Sequence, residues 1–319
     1  MLALYAAIWR ISGRRQIILI LLSIGIAALA PVSLNFQKEI VNLLTDQSMS
    51  TDELLLYCAG MFGAILLSLV LKWISGYRSG LLGEDVIRHI RRLLFHGSVE
   101  QEAEGDRVRR GTLTTAISAE AEELGKFAGA AFSEPVVQIG TLISVIGFIA
   151  ATQPFLGLIA ASMILPQILI VLISQRQVNK YVAERVRILR AATDALTAEQ
   201  IATVGQDVEH RFDEIYDTRR KMFIWKLSSK FILSAINGAG TVGLLLLGGW
   251  LVIDGKTDVG TVVAATIGLG RIQGPTAFLI AFYRQVSANR IKFELLLEIF
   301  GPGFRGAAAR DRTAPGQNV

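Results

Sequence analysis

Residues 135 to 175 read PVVQIGTLISVIGFIAATQPFLGLIAASMILPQILIVLISQ, and the stretch contains no Asp, Glu, Lys or Arg. It is too long for a buried element of a soluble core, whereas about 20 apolar residues cross the hydrocarbon of a bilayer. Its length therefore predicts two membrane spans that fold back on each other at residues 151 to 154. The sequence indicates an integral membrane protein.

The rest of the chain supports this class, because 52% of the 319 residues are hydrophobic and 18% are charged, against about 25% charged residues in soluble domains. Hydropathy predicts an all-α protein with six transmembrane helices. The predicted spans are Gln16 to Gln37, Leu54 to Leu71, Pro135 to Ala151, Pro154 to Gln175, Phe231 to Ile253 and Val259 to Tyr283.

The distribution of basic residues predicts the orientation. The connections at residues 45–53, 151–154 and 254–258 contain only one basic residue, Lys256, and the alternate set of connections holds nearly all the others. Because Lys and Arg accumulate in cytoplasmic loops, we expect a multi-pass protein of the cell inner (plasma) membrane with both termini in the cytoplasm.

The two cytoplasmic connections are roughly 60 residues long and carry helical periodicity. We therefore expect the membrane helices to continue as long cytoplasmic extensions, which turn back at Gly105, Gly111 and Gly205. Residues 1–15 predict a short amphipathic helix lying at the membrane surface. The Pro- and Gly-rich residues 301–319 predict a disordered tail.

Two short stretches resemble cofactor-binding motifs, but their positions in the sequence argue against that function. Gly238 to Gly243 matches G-x-G-x-x-G but lies inside a predicted membrane helix, and Gly255-Lys256-Thr257 lacks the earlier glycine of a phosphate-binding loop. The single cysteine, Cys58, supports neither a disulfide nor a Cys-based metal site. The basic residues do not gather on one face, so we expect no nucleic acid partner and no enzymatic activity in this chain alone.

One charged residue falls at membrane depth. Arg271 stands twelve residues into the sixth predicted span and is followed by Gln273. Burying a charge in the bilayer is costly and is usually kept for ion pairs or transport pathways. Arg271 and Gln273 are therefore candidates for a translocation cavity, with an internal ion pair as the equally weighted alternative for Arg271.

Three stretches carry a resemblance to a known family. LGGWLVIDGKTDVGTVVAATIGLGRIQGP at residues 247–275, RIKFELLLEIFG at 290–301, and Arg110-Gly111-Thr112-Leu113 followed by Ala119 to Glu122 resemble the transmembrane domain of type I ATP-binding-cassette exporters. The resemblance implies a six-helix exporter fold over residues 16–300.

The resemblance also implies roles and partners. Arg110, Gly111, Thr112 and Leu113 would form the first region that couples to an ATPase, and the second would include Gly205, Gln206 and Asp207. The Walker A, signature and Walker B motifs of the family's ATPase are absent from the sequence. We therefore expect a separate nucleotide-binding ATPase subunit that holds ATP and Mg²⁺, and a second transmembrane subunit that completes a homo- or heterodimer.

Two other functions remain open at this stage. The chain could be a proton-coupled transporter on an exporter-like scaffold, although few carboxylates lie within its predicted spans. It could also be an orphaned or truncated membrane domain that transports nothing. The sequence does not specify the substrate.

Overall fold

A computed structural model describes residues 2–46, 50–103, 114, 116–198 and 201–310, and every regular element within these ranges is helical. The elements are α1 (Leu2–Thr45), α2 (Thr51–Ala103), a π-helix (Ala116–Glu120), α3 (Ala121–Ala130), α4 (Ser133–Thr152), α5 (Pro154–Ser162), α6 (Ile164–Ala198), α7 (Ile201–Ile253) and α8 (Val259–Arg310). The predicted all-α class is confirmed.

Five helical stretches in the described ranges are long and apolar enough to cross a membrane. They are Leu2–Thr45, Thr51–Val99, Ala116–Thr152, Pro154–Leu189 and Glu209–Ile253, and each contains one of the first five predicted spans. The sixth predicted span forms the first half of α8 but is less apolar. Its run of Gly270, Arg271, Gln273, Gly274 and Pro275 dilutes the hydrophobic residues on either side.

The chain divides into two compact units. One contains residues up to Phe148 and from Ala281 onward, and the other contains Ile149 to Ile280.

In the first unit, α1 and α2 pack side by side and antiparallel. Gly60 of α2 lies against the ring of Phe36, and Gly25 of α1 lies near Leu71. Arg15 of α1 forms an ion pair with Asp85 of α2. The contact between α1 and α2 therefore continues to Asp85, well beyond residue 71, the predicted end of the second span.

The predicted surface helix at residues 1–15 is not a separate element, because α1 runs unbroken from Leu2 to Thr45. Its buried residues recur every three or four positions across the expected break, at Leu4, Ile8, Ser12, Gln16 and Leu19. One continuous face therefore packs inward on both sides of Arg14 and Arg15, and that packing favours a single continuous helix.

Helix α2 has 53 residues, which at 1.5 Å per residue gives about 80 Å, more than twice the thickness of the hydrocarbon. Its start is fixed by a reciprocal cap: the Glu53 amide donates to Ser50 Oγ at 3.2 Å, and the Ser50 amide donates to Glu53 Oε2 at 3.1 Å. The helix is unbroken from Thr51 to Ala103, so its predicted continuation beyond the second span is confirmed.

The uncharged stretch forms the predicted turn. Helix α4 ends at Thr152, Gln153 is extended, and Pro154 begins α5. The fourth predicted span is, however, two helices separated at Met163. Pro166 explains the break, because its ring collides with the carbonyl four residues earlier and it has no N–H to donate.

In the second unit, α6 and α7 are joined by an amide pair, in which Gln167 Nε2 donates to Asn237 Oδ1 at 3.0 Å. Helix α7 ends in a tight turn where Gly255 has a φ of 67°. Asp258 then caps α8, accepting from the Thr261 amide at 2.6 Å.

Two further expectations were wrong. Gly205 does not turn the chain, because α7 begins at Ile201 and passes through it. The tail expected to be disordered from residue 301 continues as helix to Arg310, and residues 311–319 lie outside the described ranges. The alanines at 307–309 favour helix at its end, whereas local propensity does not explain its passage through Gly301, Pro302 and Gly303.

Candidate coupling site

The first predicted coupling segment, Arg110, Gly111, Thr112 and Leu113, lies outside the described residues. Its flanks are described: α2 ends at Ala103 and the π-helix begins at Ala116. Single π-helical turns occur often at functional sites. The candidate site therefore consists of the helices on either side of this segment and of the helices that contact them.

Helices α2 and α3 cross at glycines. A Cβ atom on Gly125 would lie 2.9 Å from the carbonyl oxygen of Gly83 and 3.0 Å from the amide nitrogen of Ile87. Gly129 lies just as close to α2, with its Cβ position 3.3 Å from Gly83 Cα. These are backbone contacts, which cannot yield as a flexible side chain does, so the crossing requires glycine on α3.

Ion pairs surround the crossing. Lys126 Nζ lies 2.5 Å from Glu122 Oε1, and Arg91 of α2 lies 3.9 Å from Glu122 Oε2. The hydrogen bond from Lys126 and its positive charge lower the pKa of Glu122, and the same contact raises the pKa of Lys126. Arg91 Nε also donates to the carbonyl oxygen of Ile117 at 3.0 Å, which ties the π-helix to α2.

Helix α3 is also held by α1. Gln16 of α1 is fully buried, and its Nε2 donates to the carbonyl oxygen of Ala128 at 2.9 Å. The ring of Tyr5 meets the ring of Phe127 edge-on, with centroids 6.2 Å apart. The membrane helix that begins at the N-terminus therefore packs directly on the helix that follows the first coupling segment.

The C-terminal half of α8 holds α3 from a further side. Phe127 stacks on Phe282 with centroids 5.8 Å apart, and Lys292 forms an ion pair with Glu123. Helix α3 thus contacts α1, α2 and α8 within one compact unit.

The other predicted site residues are not brought together. Gly205, Gln206 and Asp207 fall in the first two turns of α7. Arg271 is half-buried and Gln273 is exposed on α8, and residues two apart on a helix point in different directions. A cavity lined by both side chains remains a prediction.

The contacts of α3 with Gln16 of α1, Arg91 of α2, and Phe282 and Lys292 of α8 are called the α3 clamp below. This clamp was not predicted from the sequence. Its signal is present in the sequence, because Gly125 and Gly129 form the G-x-x-x-G spacing that allows close helix packing. Glu122 and Lys126 stand four residues apart, which is the spacing of an ion pair within one helix. The contacts of Glu122 with Arg91 and of Glu123 with Lys292 gave no such signal, since these partners lie on other helices. Within the described ranges, no group of three or more His, Cys, Asp or Glu residues is arranged to hold a metal ion.

A family model of the ABC transporter transmembrane region matches residues 16–276. A comparison with curated proteins finds no match to the chain. The matched range covers all six predicted spans except the end of the last, and well over half of the 319 residues. The chain therefore belongs to the ABC transporter transmembrane region family, and it is a multi-pass membrane domain of an ABC transporter.

Proposed function

We propose that the chain is the membrane subunit of an ATP-driven exporter, and that its first intracellular segment receives the movement of a nucleotide-binding domain that lies outside these 319 residues. The observation that carries the proposal is the clamp on α3. This short helix begins eight residues after Leu113 and is fixed to α1, α2 and α8. A push on the coupling segment would reach three long helices through it.

The proposal includes the expected surroundings of the chain. ATP and Mg²⁺ bind on the nucleotide-binding partner, a second transmembrane subunit completes the pathway, and both termini face the cytoplasm from the inner membrane. The distribution of Lys and Arg supports this orientation. Gly205, Gln206 and Asp207 couple the second intracellular segment to the nucleotide-binding domain.

The test is capture of the chain from its native membrane in mild detergent, followed by mass spectrometry and an ATPase assay. We expect a nucleotide-binding domain to accompany the chain in fixed proportion, on the same or another polypeptide. Replacing Arg110 by Glu should weaken its retention, because the change reverses a charge in the proposed docking segment. Arg220→Glu, on the exposed surface of α7, is the matched control.

Two results would count against the proposal. One is repeated capture without any nucleotide-binding domain, and the other is equal retention by Arg110→Glu and the control. Transport that survives ATP depletion but is abolished by an uncoupler would instead identify a proton-coupled transporter.

A further inference from the structure

A basic cleft lies between residues 9–17 of α1 and residues 82–92 of α2, within one compact unit. It encloses about 870 Å³, within the range of about 300–1,000 Å³ that is typical of ligand sites. Among the described residues that line it, five are arginines and one is a carboxylate: Arg10, Arg14, Arg15, Arg88, Arg92 and Asp85. The cleft therefore carries a net positive charge.

The single carboxylate leaves most of this charge uncompensated. Asp85 Oδ1 lies 3.2 Å from Arg88 Nη2, and the other oxygen of Asp85 pairs with Arg15. Arg10, Arg14 and Arg92 are exposed, and no ion pair joins them to a carboxylate among the described residues. A guanidinium group presents several N–H donors in one plane, which match the oxygens of a phosphate. Three arginines from two helices are thus available to an anion.

The cleft lies at the end of a membrane span. Arg14 and Arg15 immediately precede residues 16–37, which contain no charged residue. Ile17, the second residue of that run, also lines the cleft, as does Trp9, which is 41% exposed. Tryptophan is common at the level of lipid headgroups, and basic pockets between membrane helices bind phosphorylated headgroups. A phosphate can therefore reach the cleft from the bilayer surface or from solution.

We propose that the basic cleft is a phosphate-binding site, in which arginines of α1 and α2 hold one phosphate group. The headgroup of an anionic phospholipid and a small soluble phosphate ester supply the same chemistry. A zwitterionic headgroup would bring its own cation against the arginines, so phosphatidylcholine should be rejected. The proposal does not depend on an ATPase partner, because the residues that carry it belong to this chain.

Native mass spectrometry provides a direct test. The full chain is released from detergent that contains equal amounts of phosphatidylglycerol and phosphatidylcholine, and the lipids that remain bound are counted. Glycerol phosphate is then titrated with and without the lipids. One bound phosphatidylglycerol that glycerol phosphate does not displace would identify a lipid headgroup as the source of the phosphate. Binding of glycerol phosphate, with displacement of the lipid, would identify a soluble phosphate ester.

Variants test the arginines themselves. Arg14→Gln with Arg92→Gln removes two arginines that do not pair with Asp85, and should weaken phosphate binding about 30-fold, from the usual contribution of each basic residue at an anionic surface. Arg14→Lys with Arg92→Lys keeps the charge but loses the planar donors, and should weaken binding several-fold. Arg219→Gln with Arg220→Gln, two exposed arginines of α7, removes the same charge elsewhere and should leave binding intact.

Three results would overturn the proposal. One is a chain that retains neither phosphatidylglycerol nor glycerol phosphate in preference to phosphatidylcholine. Another is an Arg14→Gln/Arg92→Gln protein that loses no more binding than the α7 control. The third is full binding by the lysine variant, which would show that diffuse positive charge suffices and that the arginines do not form a phosphate site.

Discussion

At the scale of single residues, the coupling site depends on glycines that permit backbone contact. Gly83, Gly125 and Gly129 bring α2 and α3 closer than any other residue would allow. The ion pairs around them are largely exposed, and exposed pairs contribute little to stability. The glycines therefore contribute more to the crossing than the surrounding charges do.

The first prediction concerns Gly125. Gly125→Ala should lower the free energy of unfolding by about 1–3 kcal/mol, because its Cβ collides with the backbone of α2 and the crossing must open. Thermal unfolding in detergent measures the change. Gly80→Ala is the control: nothing lies within 4 Å of its Cβ position, so removing a helical glycine there should stabilise by about 0.5–1 kcal/mol. An equal melting temperature for both variants would refute the role of the crossing.

At the scale of helices, hydropathy located five of the six predicted spans on long apolar helices in the described ranges, but it did not show where each helix breaks or continues. The spans are visible because uncharged runs such as residues 135–175 have no other stable environment. The unbroken passage of α1 past Arg14 and Arg15 depends on which face packs against other helices, and composition does not reveal this. The fourth predicted span is interrupted at Met163. Pro166 in the sequence could have indicated this break.

Interhelical contacts could not be predicted either, because they join residues far apart in sequence. The clamp on α3 links it to Gln16, Arg91 and Lys292, and only the local G-x-x-x-G spacing pointed to it. The predicted coupling residues came from the family resemblance, and Arg110 to Leu113 stay predictions since they lie outside the described ranges.

The second prediction belongs to the α6–α7 pair. Gln167→Leu and Asn237→Leu should each destabilise the protein, since either change leaves a partly buried amide without its partner. A double-mutant cycle should give a coupling of about 0.6 kcal/mol, the average for such pairs in membranes. Unfolding in detergent measures all four proteins. Strictly additive losses would show that the two amides do not interact.

At the scale of the whole molecule, the α3 clamp joins the helix that follows the predicted coupling segment to three long helices, α1, α2 and α8. The contact between α3 and α8 combines an ion pair, Glu123 with Lys292, and a ring stack, Phe127 on Phe282. In the proposed exporter, this arrangement would pass ATP-driven movement to the membrane while costing little stability to rearrange.

The third prediction tests that connection by charge exchange. Glu123→Lys should leave the melting temperature nearly unchanged, because the pair is largely exposed, but should reduce the ATPase activity of the captured complex. Adding Lys292→Glu should restore it. Glu294→Lys breaks the exposed pair with Arg290 within α8 and should not affect activity. Failure of the double exchange to restore activity would exclude a role for the pair in coupling.

The most direct test of ATP coupling is hydrogen–deuterium exchange on the captured complex, compared with and without ATP trapped by vanadate. The account predicts that exchange changes across residues 104–130, which contain the first coupling segment and α3, while residues 54–71 of α2 remain as they were. Identical exchange across residues 104–130 in both states, in a complex that hydrolyses ATP, would contradict the claim that this segment receives the ATPase movement.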